Sequence, residues 1–462
     1  MDTSNTPPQN VIPSSALPGP RAPMIYQGIK IFQQPTGYTR DLRERYGTRF
    51  RLKIMPPYNL YVLSDPDDVK AMFLAPRDVL HTGRGSAALE KFTGQTGLAW
   101  LDEEEHLARR KTIMPSVRGG AFKRIEDSVA EMAERIVATW PRGELVSLYP
   151  HVHRFTIQVI REVVFGKHVP SVWDELFEVI WQMLGLNRRL ASMIETHNMK
   201  PLSVKMLRAI KPLGLDTFFK QRDRADALLA QAVRERLDSG ESGDDMLSVL
   251  LNITHEDGSP VSGVELRDEM MTMFLAGTET TTAGICWALE YLSREPAILQ
   301  RVLDEMEEGT DDAYLTAVCH EVLRVRPPTP QIIPREVVKP IVIGGVRYVP
   351  GDWLWASGYL IHHDPALYPD PDVFRPERFL NVKPGAYTWI PFGGGHTRCL
   401  GDRIAILEMK AVLRQVLTTC ELRRSDPRPE AAKSRTVTIT TKHGTRLELR
   451  PKAGAVAEKA AS

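Results

Sequence analysis

Residues 392–401, Phe-Gly-Gly-Gly-His-Thr-Arg-Cys-Leu-Gly, decide the fold of this chain because they place one cysteine on a glycine-rich loop that runs into a helix. The stretch 402–419 has good helix formers with apolar residues at helical spacing, which predicts that Cys399 stands at a helix N-terminus. The helix dipole and unpaired amides there favour a thiolate, the form of cysteine that binds metals. Cys399 is therefore predicted to be a metal ligand, and the alternative is an ordinary buried cysteine.

The glycines of this loop suggest the shape of the ligand. Gly393, Gly395 and Gly401 can adopt backbone angles closed to other residues, which would let a flat ligand approach the main chain. The amides of Leu400 and Gly401 are expected to donate hydrogen bonds to the sulfur, since such contacts tune a metal thiolate.

The loop resembles the cysteine-ligand loop of the cytochrome P-450 family, in which the thiolate is an axial ligand of haem iron. The resemblance implies that Cys399 binds the iron of haem b. It also implies contacts to the cofactor from Phe392, Gly393, Arg398 and Gly401. The chain departs from the family at Thr397, where an arginine or histidine usually contacts a haem propionate. The sequence leaves open what replaces that contact, and the neighbouring Arg398 is one candidate.

Composition narrows the class of protein. A formal net charge of +1 without a long basic block gives no reason to expect nucleic-acid binding. The four cysteines form no CxxC pair, so neither a disulfide framework nor a zinc site is indicated. The N-terminus has no basic segment followed by an apolar run, and no stretch approaches about 18 apolar residues. We therefore expect a cytoplasmic protein without a transmembrane anchor.

The chain is predicted to form a single haem domain over residues 24–452. It would be flanked by a flexible N-terminal segment, 1–23, and a flexible C-terminal tail, 453–462. The domain begins with an apolar group that could touch a membrane but is expected to be buried against the domain body: Met24, Ile25, Ile29, Ile31 and Phe32.

Helical patterns dominate the chain. They cover residues 65–74, 103–117, 122–138, 173–186, 217–237, 264–294, 311–326 and 402–419. Strand-like runs cover 50–54, 60–63, 341–349 and 353–357, followed by a C-terminal hairpin of 436–441 with 445–450. Because the helices do not alternate with the strands, the pattern argues against a doubly wound parallel sheet. It predicts a mostly α fold with small segregated β-sheets. The resemblance implies that this is the cytochrome P-450 fold, with a long central helix over a haem.

The predicted helix 264–294 would span roughly 45 Å and cross the whole domain. Its middle, 276–284, is a poor helix sequence with two glycines and four threonines. Threonine hydroxyls can bond back to carbonyls one turn earlier, and glycine lets a planar group lie against the helix, although close helix packing is an alternative. Glu279 beside Thr280 favours a functional interpretation, because a carboxylate and a hydroxyl are the parts of a proton relay.

This segment resembles the oxygen-activating segment of the same family. The resemblance places Ala276 and Gly277 over the haem and makes Glu279 the acid and Thr280 the alcohol of the catalytic pair. It implies that Thr280 directs protons so that one oxygen atom leaves as water.

Two further groups of charged residues match the family. Glu321 and Arg324 on one helix, with Arg378 in a downstream Pro-Glu-Arg-Phe segment, resemble its buried structural triad. His106 and Arg110 lie four apart on a predicted helix, so both can reach one point. By resemblance they would bind the haem propionates together with Arg335, because arginine forms bidentate bonds with carboxylates.

These motifs imply a haem-thiolate monooxygenase that inserts one atom of O2 into a small apolar substrate by hydroxylation or epoxidation. Terpenoid, fatty acid, steroid and polyketide substrates remain open. The pocket is expected to draw on 84–100, 173–202, 329–333, Phe274 and Ala276. The alternatives are a peroxide-using or isomerising haem-thiolate enzyme and a non-catalytic haem sensor. Glu279 and Thr280 count against the first, and NAD(P)H-driven turnover would exclude the second.

The chain ends about 60 residues after Cys399 and is not expected to contain its own reductase. Electrons derived from NAD(P)H are therefore expected to arrive through a ferredoxin or flavodoxin with its reductase. The predicted docking face for an acidic partner consists of Arg109, Lys111, Arg403, Lys410 and Arg414. The alternative is that these residues form an ordinary solvated surface.

Overall fold

The computed structural model describes residues 11–54, 59–186, 215–255, 257–309, 311–435 and 438–452. The described part is mainly helical, with small separate sheets, so the predicted fold class is confirmed. The predicted pocket segment 173–202 runs past Leu186, and its residues 187–202 lie outside the described ranges. The tail 453–462 lies outside them as well.

The helices include every helix that the sequence predicts, with ends that differ by a few residues at most. In chain order they are α1 Met24–Gln33, α2 Pro35–Tyr46, α3 Pro66–Leu74, α4 Glu90–Thr93, α5 Glu103–Ile113, α6 Gly119–Val137, α7 Tyr149–Phe165, α8 Trp173–Leu186, α9 Leu215–Ser239, α10 Met246–Leu251, α11 Gly263–Arg294, α12 Pro296–Glu308, α13 Ala313–Val325, α14 Gly358–His362 and α15 Asp402–Thr419.

The strands are short. They are β1 Ile12–Pro13, β2 Arg49–Leu52, β3 Asn59–Leu63, β4 Leu80–His81, β5 Leu145–Ser147, β6 Arg335–Val337, β7 Ile341–Ile343, β8 Val346–Tyr348, β9 Asp352–Ala356, β10 Cys420–Arg423, β11 Ala432–Arg435, β12 Thr438–Thr441 and β13 Arg446–Pro451. The largest sheet has the order β2-β3-β9-β6-β4, in which β3 and β9 run parallel and the other pairs are antiparallel.

The predicted C-terminal hairpin is wrong. Strand β12 pairs with β11, whereas β13 pairs with β10 and β5, so the two predicted partners belong to different sheets. The turn between them was identified correctly, but both strands find partners outside the hairpin.

The prediction of a flexible segment over 1–23 is wrong for residues 11–23. Strand β1 pairs with β8 in parallel, and the Ser14 hydroxyl donates to Asp352 Oδ2 at 2.6 Å. Leu17 is buried in the core of the same region. These contacts supply the hydrogen bonds and burial that hold a chain end in place.

The expected burial of the apolar group at 24–32 holds only in part. Helix α1 buries Ile31, but Ile25 and Ile29 are 73% and 47% exposed. The helix is amphipathic, so part of its apolar sequence faces outward.

The central helix α11 begins with a capping box. The Ser262 hydroxyl accepts from the Glu265 amide, and the Glu265 carboxylate accepts from the Ser262 amide. Pro296, at the first position of α12, prevents α11 from continuing. Most side chains of α11 are buried, so this helix forms the middle of the main core.

Both glycines in the middle of α11 lie at close contacts with side chains of neighbouring helices. A Cβ at Gly277 would lie 2.1 Å from Ile160 Cδ1 on α7, and one at Gly284 would lie 3.2 Å from Met409 Sδ on α15. These contacts fit the alternative of close helix packing. The expectation that Gly277 also contacts a cofactor stays a prediction.

Candidate active site

Cys399 lies on a loop that is pressed against α3. The Cys399 amide donates to the Phe392 carbonyl at 3.0 Å, which closes the loop on itself. Gly395 has φ +67°, and a Cβ there would lie 2.2 Å from the Phe73 carbonyl oxygen. A Cβ at Gly394 would lie 2.2 Å from the Phe73 ring. Contact with α3 thus requires glycine at two positions of the loop, a reason that the sequence did not reveal.

Cys399 is exposed as a residue, although the next residue, Leu400, is buried. The Gly401 amide donates a hydrogen bond to the sulfur, as predicted. Surrounding protein atoms nevertheless raise the pKa of the thiol, while Gly401, Arg398 and Arg110 act in the opposite direction. The local groups thus act in the direction that the sequence predicts, and burial opposes them. Coordination to a metal ion would supply the missing stabilisation, because it deprotonates a thiol.

Basic side chains collect around this loop. Arg110 Nη2 on α5 donates to the Arg398 carbonyl at 2.6 Å, and the His106 and His396 rings lie 6.0 Å apart. Burial and the neighbouring guanidiniums lower the pKa of His106 and of His396 to about 4. His396 was not singled out from the sequence, and only its place in the loop could have indicated it.

Arg335 lies beside Thr397, the position at which the loop departs from the family. Its Nη2 atom donates to the Thr397 hydroxyl at 3.0 Å and to the Gly394 carbonyl at 3.2 Å, and its Nη1 atom donates to the Met72 carbonyl at 2.7 Å. Burial lowers the pKa of Arg335 to about 10, so its guanidinium stays charged at neutral pH. Arg398, the other candidate, turns its side chain to Asp402 at 3.1 Å.

Two buried nitrogen atoms in this cluster have no hydrogen-bond partner among the described residues. They are Arg335 Nε and His106 Nδ1. Unpaired buried donors are costly, and a concentration of positive charge favours a bound anion. The residues therefore fit a flat cofactor with carboxylates at its edge and a metal that accepts a cysteine ligand.

The middle of α11 presents Ala276 and Thr280 on a less buried side of the helix. The Thr280 hydroxyl donates to the Ala276 carbonyl at 2.7 Å, which is the back-bonding that the sequence predicts. Glu279 is 4% exposed, and its Oε2 atom accepts from the Thr438 hydroxyl on β12 at 3.4 Å. Thr438 was not identified from the sequence, because its contact joins residues that are far apart in the chain.

The predicted triad forms a cluster of contacts in which Glu321 pairs with both Arg324 and Arg378. The Glu321 carboxylate accepts from Arg324 Nε at 2.7 Å and Nη2 at 2.8 Å, and it pairs with Arg378 Nε at 3.4 Å. Arg324 also donates to the His362 carbonyl at 2.6 Å, so the predicted triad ties α13 to α14 and to the segment around Arg378.

The predicted docking face is wrong at one residue. Arg109 is buried and pairs with Glu265 at 2.7 Å and with Glu269 at 3.3 Å on α11. Lys111 and Arg403 are exposed, whereas Lys410 pairs with Asp312 at 2.6 Å. Arg109 lies on the buried face of α5. Its guanidinium can be buried there because two acids on α11 neutralise its charge.

Two surface clefts border the exposed basic residues. One, of about 290 Å³, is lined by Trp389, Phe392, Arg398 and Arg403 among others, and the second, of about 670 Å³, by Lys111, Met114 and Arg118 among others. The Arg118–Asp402 ion pair, at 2.6 Å, joins their edges. None of the described helices is both long and apolar enough to cross a membrane.

Comparison with known proteins gives consistent matches. The family model described as Cytochrome P450 matches residues 17–447. The chain is 30% identical over 443 residues to cytochrome P450 135B1 of Mycobacterium tuberculosis, covering 94% of this chain and 91% of that protein. It is 32% identical over 424 residues to cytochrome P450 137 of the same species, covering 90% and 86%.

Two solved structures share the fold. The retinoic acid-bound cyanobacterial CYP120A1 superposes with a TM-score of 0.79 at 22% identity, covering 95% of this chain and 100% of that one. The cytochrome P450DA heme domain superposes with a TM-score of 0.80 at 20% identity, covering 96% and 99%.

Proposed function

Because the chain belongs to the cytochrome P450 family and is a haem-thiolate monooxygenase, we propose that Cys399 would bind its haem iron through the thiolate. The observation that carries this proposal is that the Cys399 sulfur accepts a hydrogen bond from the Gly401 amide and lies beside the basic side chains of Arg110 and Arg398. We propose that residues 24–452 form one haem domain, to which residues 11–23 are attached by β1.

We further propose that the haem propionates are held by His106, Arg110 and Arg335, with His396 beside them. The unpartnered nitrogens of Arg335 and His106 support this assignment, because a propionate oxygen would accept a hydrogen bond from Arg335 Nε and from His106 Nδ1 in the tautomer with its proton there. Thr397 would act indirectly, since its hydroxyl orients the Arg335 guanidinium. The remaining expected cofactor contacts, Phe392, Gly393, Arg398, Gly401, Ala276 and Gly277, are proposed on family resemblance.

The haem, once bound, supplies an iron centre that activates O2. The residues of the chain would manage protons and water around it. Thr280 is proposed to pass a proton from its hydroxyl, which the Ala276 carbonyl orients. Glu279 is proposed to take up a proton from solvent at the carboxylate that Thr438 holds, and to return it to the Thr280 hydroxyl as that hydroxyl gives its own proton away.

Replacing Thr280 with alanine is expected to preserve haem and substrate binding but to divert electrons into peroxide. The physical reason is that the hydroxyl that guides protons is lost while the helix stays intact. Peroxide released per NAD(P)H consumed is the measurement, and it should rise several-fold.

Thr278→Ala is the matched control for this experiment. The Thr278 hydroxyl makes the same bond to the carbonyl one turn earlier, at 2.7 Å, but the residue is fully buried on another face of α11. Its coupling should stay close to that of the native enzyme. Equal coupling in the native and Thr280→Ala proteins would assign proton delivery to other groups.

The substrate is proposed to be a small apolar molecule. The support is the composition of the segments expected around the pocket, which include the buried Phe274 and the partly exposed Ile333. A terpenoid, fatty acid, steroid or polyketide fits this description equally. A library screen for the ligand-induced low-to-high-spin shift of the haem spectrum would identify the class.

We propose that electrons derived from NAD(P)H enter from a ferredoxin or flavodoxin at the two clefts beside Lys111 and Arg403. The positive charge of these two exposed side chains supports the proposal. The Arg118–Asp402 ion pair lies between the two clefts, and Asp402 also pairs with Arg398 of the Cys399 loop. An acidic partner would be steered to such a face at low ionic strength.

Reversing both charges, Lys111→Glu with Arg403→Glu, is expected to slow reduction by ferredoxin about tenfold or more at low salt. Reduction by dithionite and substrate binding should not change. Lys442→Glu, a reversal at an exposed lysine outside the two clefts, is the control. A double variant that is reduced at the native, salt-insensitive rate would move the docking site elsewhere.

A further inference from the structure

Residues 94–98 lie directly on the first turns of the central helix. Asp268 Oδ2 accepts hydrogen bonds from the Gln95 amide at 2.9 Å, the Thr96 amide at 2.9 Å and the Thr96 hydroxyl at 2.7 Å. The Asp268 side chain is nearly inaccessible to solvent. A single buried carboxylate oxygen therefore collects three donors from a segment more than 170 residues away in the chain.

The next residue of the helix holds the other end of the segment. Glu269 Oε2 accepts from the Leu98 amide at 2.9 Å and from Arg109 Nη1 at 3.3 Å. Arg109 also pairs with Glu265 at 2.7 Å, so one guanidinium serves two acids on α11. Asp268 and Glu269 together bond three of the five backbone amides between residues 94 and 98.

Glycine at two positions allows this contact. Gly94 has φ +70°, and a Cβ there would lie 2.1 Å from both carboxylate oxygens of Asp268. A Cβ at Gly97 would lie 2.9 Å from Thr272 Oγ1 and 3.1 Å from the Asp268 carbonyl oxygen. The segment can approach the helix this closely only because both side chains are absent.

Burying two carboxylates beside one guanidinium has a large desolvation cost in free energy, so this arrangement contributes little net stability. Burial raises the pKa of Glu269 to about 7, with Arg109 and the Leu98 amide opposing the shift. Glu269 Oε1 has no partner among the described residues. Buried charged groups are often no more stabilising than apolar residues of the same size, but in some proteins they specify one geometry. The residues are thus suited to positioning.

We propose that Asp268 and Glu269 are positioning residues that clamp residues 94–98 onto the central helix and so set one wall of the substrate pocket. We call this arrangement the acid clamp. The proposal rests on the proposed function, because residues 84–100 are expected to border the substrate. Ala276 follows Asp268 by about two turns, roughly 12 Å along the same helix, so a shift of the segment would alter the space near the reacting site.

The first test is amide hydrogen exchange of the haem-loaded protein. Asp268→Ala should increase exchange at the Gln95 and Thr96 amides by about tenfold or more, because their shared acceptor is lost. Glu105→Gln, at an exposed acid of α5, should leave both rates unchanged. Gly94→Ala provides an independent route, since it keeps both acids but forces the segment away from Asp268. Native exchange in both Asp268→Ala and Gly94→Ala would overturn the clamp.

The second test links the clamp to the substrate. Asp268→Ala and Gly94→Ala should weaken binding of large apolar ligands, read from the spin shift, about tenfold while leaving the affinity for imidazole within about twofold. A merely structural defect would alter both affinities and the reduced carbon monoxide spectrum. Faster exchange with native affinity for every ligand would overturn the positioning role. Exchange can be read whether or not turnover is found, so failure of the clamp is distinguishable from failure of the proposed function.

Discussion

Replacing Glu321 with alanine is expected to abolish recovery of folded, haem-loaded protein. Glu321 and Arg324 have fully buried side chains, and the carboxylate is the shared acceptor for Arg324, Arg378 and the Arg375 amide. Its loss would leave a buried guanidinium without its charge partner, at a cost of about 3–5 kcal/mol. A typical domain has only about 5–15 kcal/mol of stability in total.

Two other substitutions calibrate this prediction. Arg378→Ala should reduce haem content and melting temperature less than Glu321→Ala, because Arg378 lies 3.4 Å from the carboxylate while Arg324 keeps its shorter bonds. Arg375→Ala should have little effect, since only its backbone amide bonds to Glu321 and its side chain is 44% exposed. Native haem content and melting temperature in Glu321→Ala would show that the triad does not hold the scaffold.

Much of the helical structure could be predicted from local signals. The predicted bounds of α8 and α15 match the structure, and α11 begins one residue earlier than predicted. Helices α8 and α15 show apolar periodicity, and α11 has clear end signals in the Ser262 capping box and Pro296. Where the local sequence and the tertiary packing favour the same conformation, the sequence pattern is sufficient to predict the helix.

Helix α7 was missed although it packs against the central helix. Its sequence is rich in valine, isoleucine and phenylalanine, which have modest helix propensity and resemble a strand. Pro150 near its start and Gly166 at its C-cap, with φ 61°, were usable signals for its ends. Burial against α11 decides its conformation, and burial is not visible in a single sequence.

The candidate site likewise contains residues that local motifs identify and residues that only tertiary contacts bring together. Short motifs identified the Cys399 loop and the adjacent Glu279 and Thr280 of α11. Two short motifs, one with Glu321 and Arg324 and one with Arg378, identified the triad. The contact of Arg335 with Thr397, the pairing of Arg109 and the contact of Thr438 with Glu279 could not be predicted, since each joins residues distant in the chain. Charge alone suggested that Arg109 faces solvent, but its partners lie more than 150 residues away.

Replacing Cys399 with serine is expected to remove thiolate ligation and monooxygenase turnover together. Serine has nearly the same shape but its hydroxyl does not ionise readily, so the electron-donating ligand that promotes O–O cleavage is lost. Cys399→His offers a neutral ligand instead and should retain more haem without restoring turnover. Cys420→Ser, at a buried cysteine outside the loop, is the control and should keep both properties.

The most direct measurement is the absorption spectrum of the reduced protein with carbon monoxide, recorded for the native, Cys399→Ser and Cys420→Ser proteins. The account predicts the strongly red-shifted Soret band of a thiolate ligand in the native and Cys420→Ser proteins and its absence in Cys399→Ser. A native protein without this band, or a Cys399→Ser variant that retains it, would contradict the assignment of Cys399 as the haem ligand.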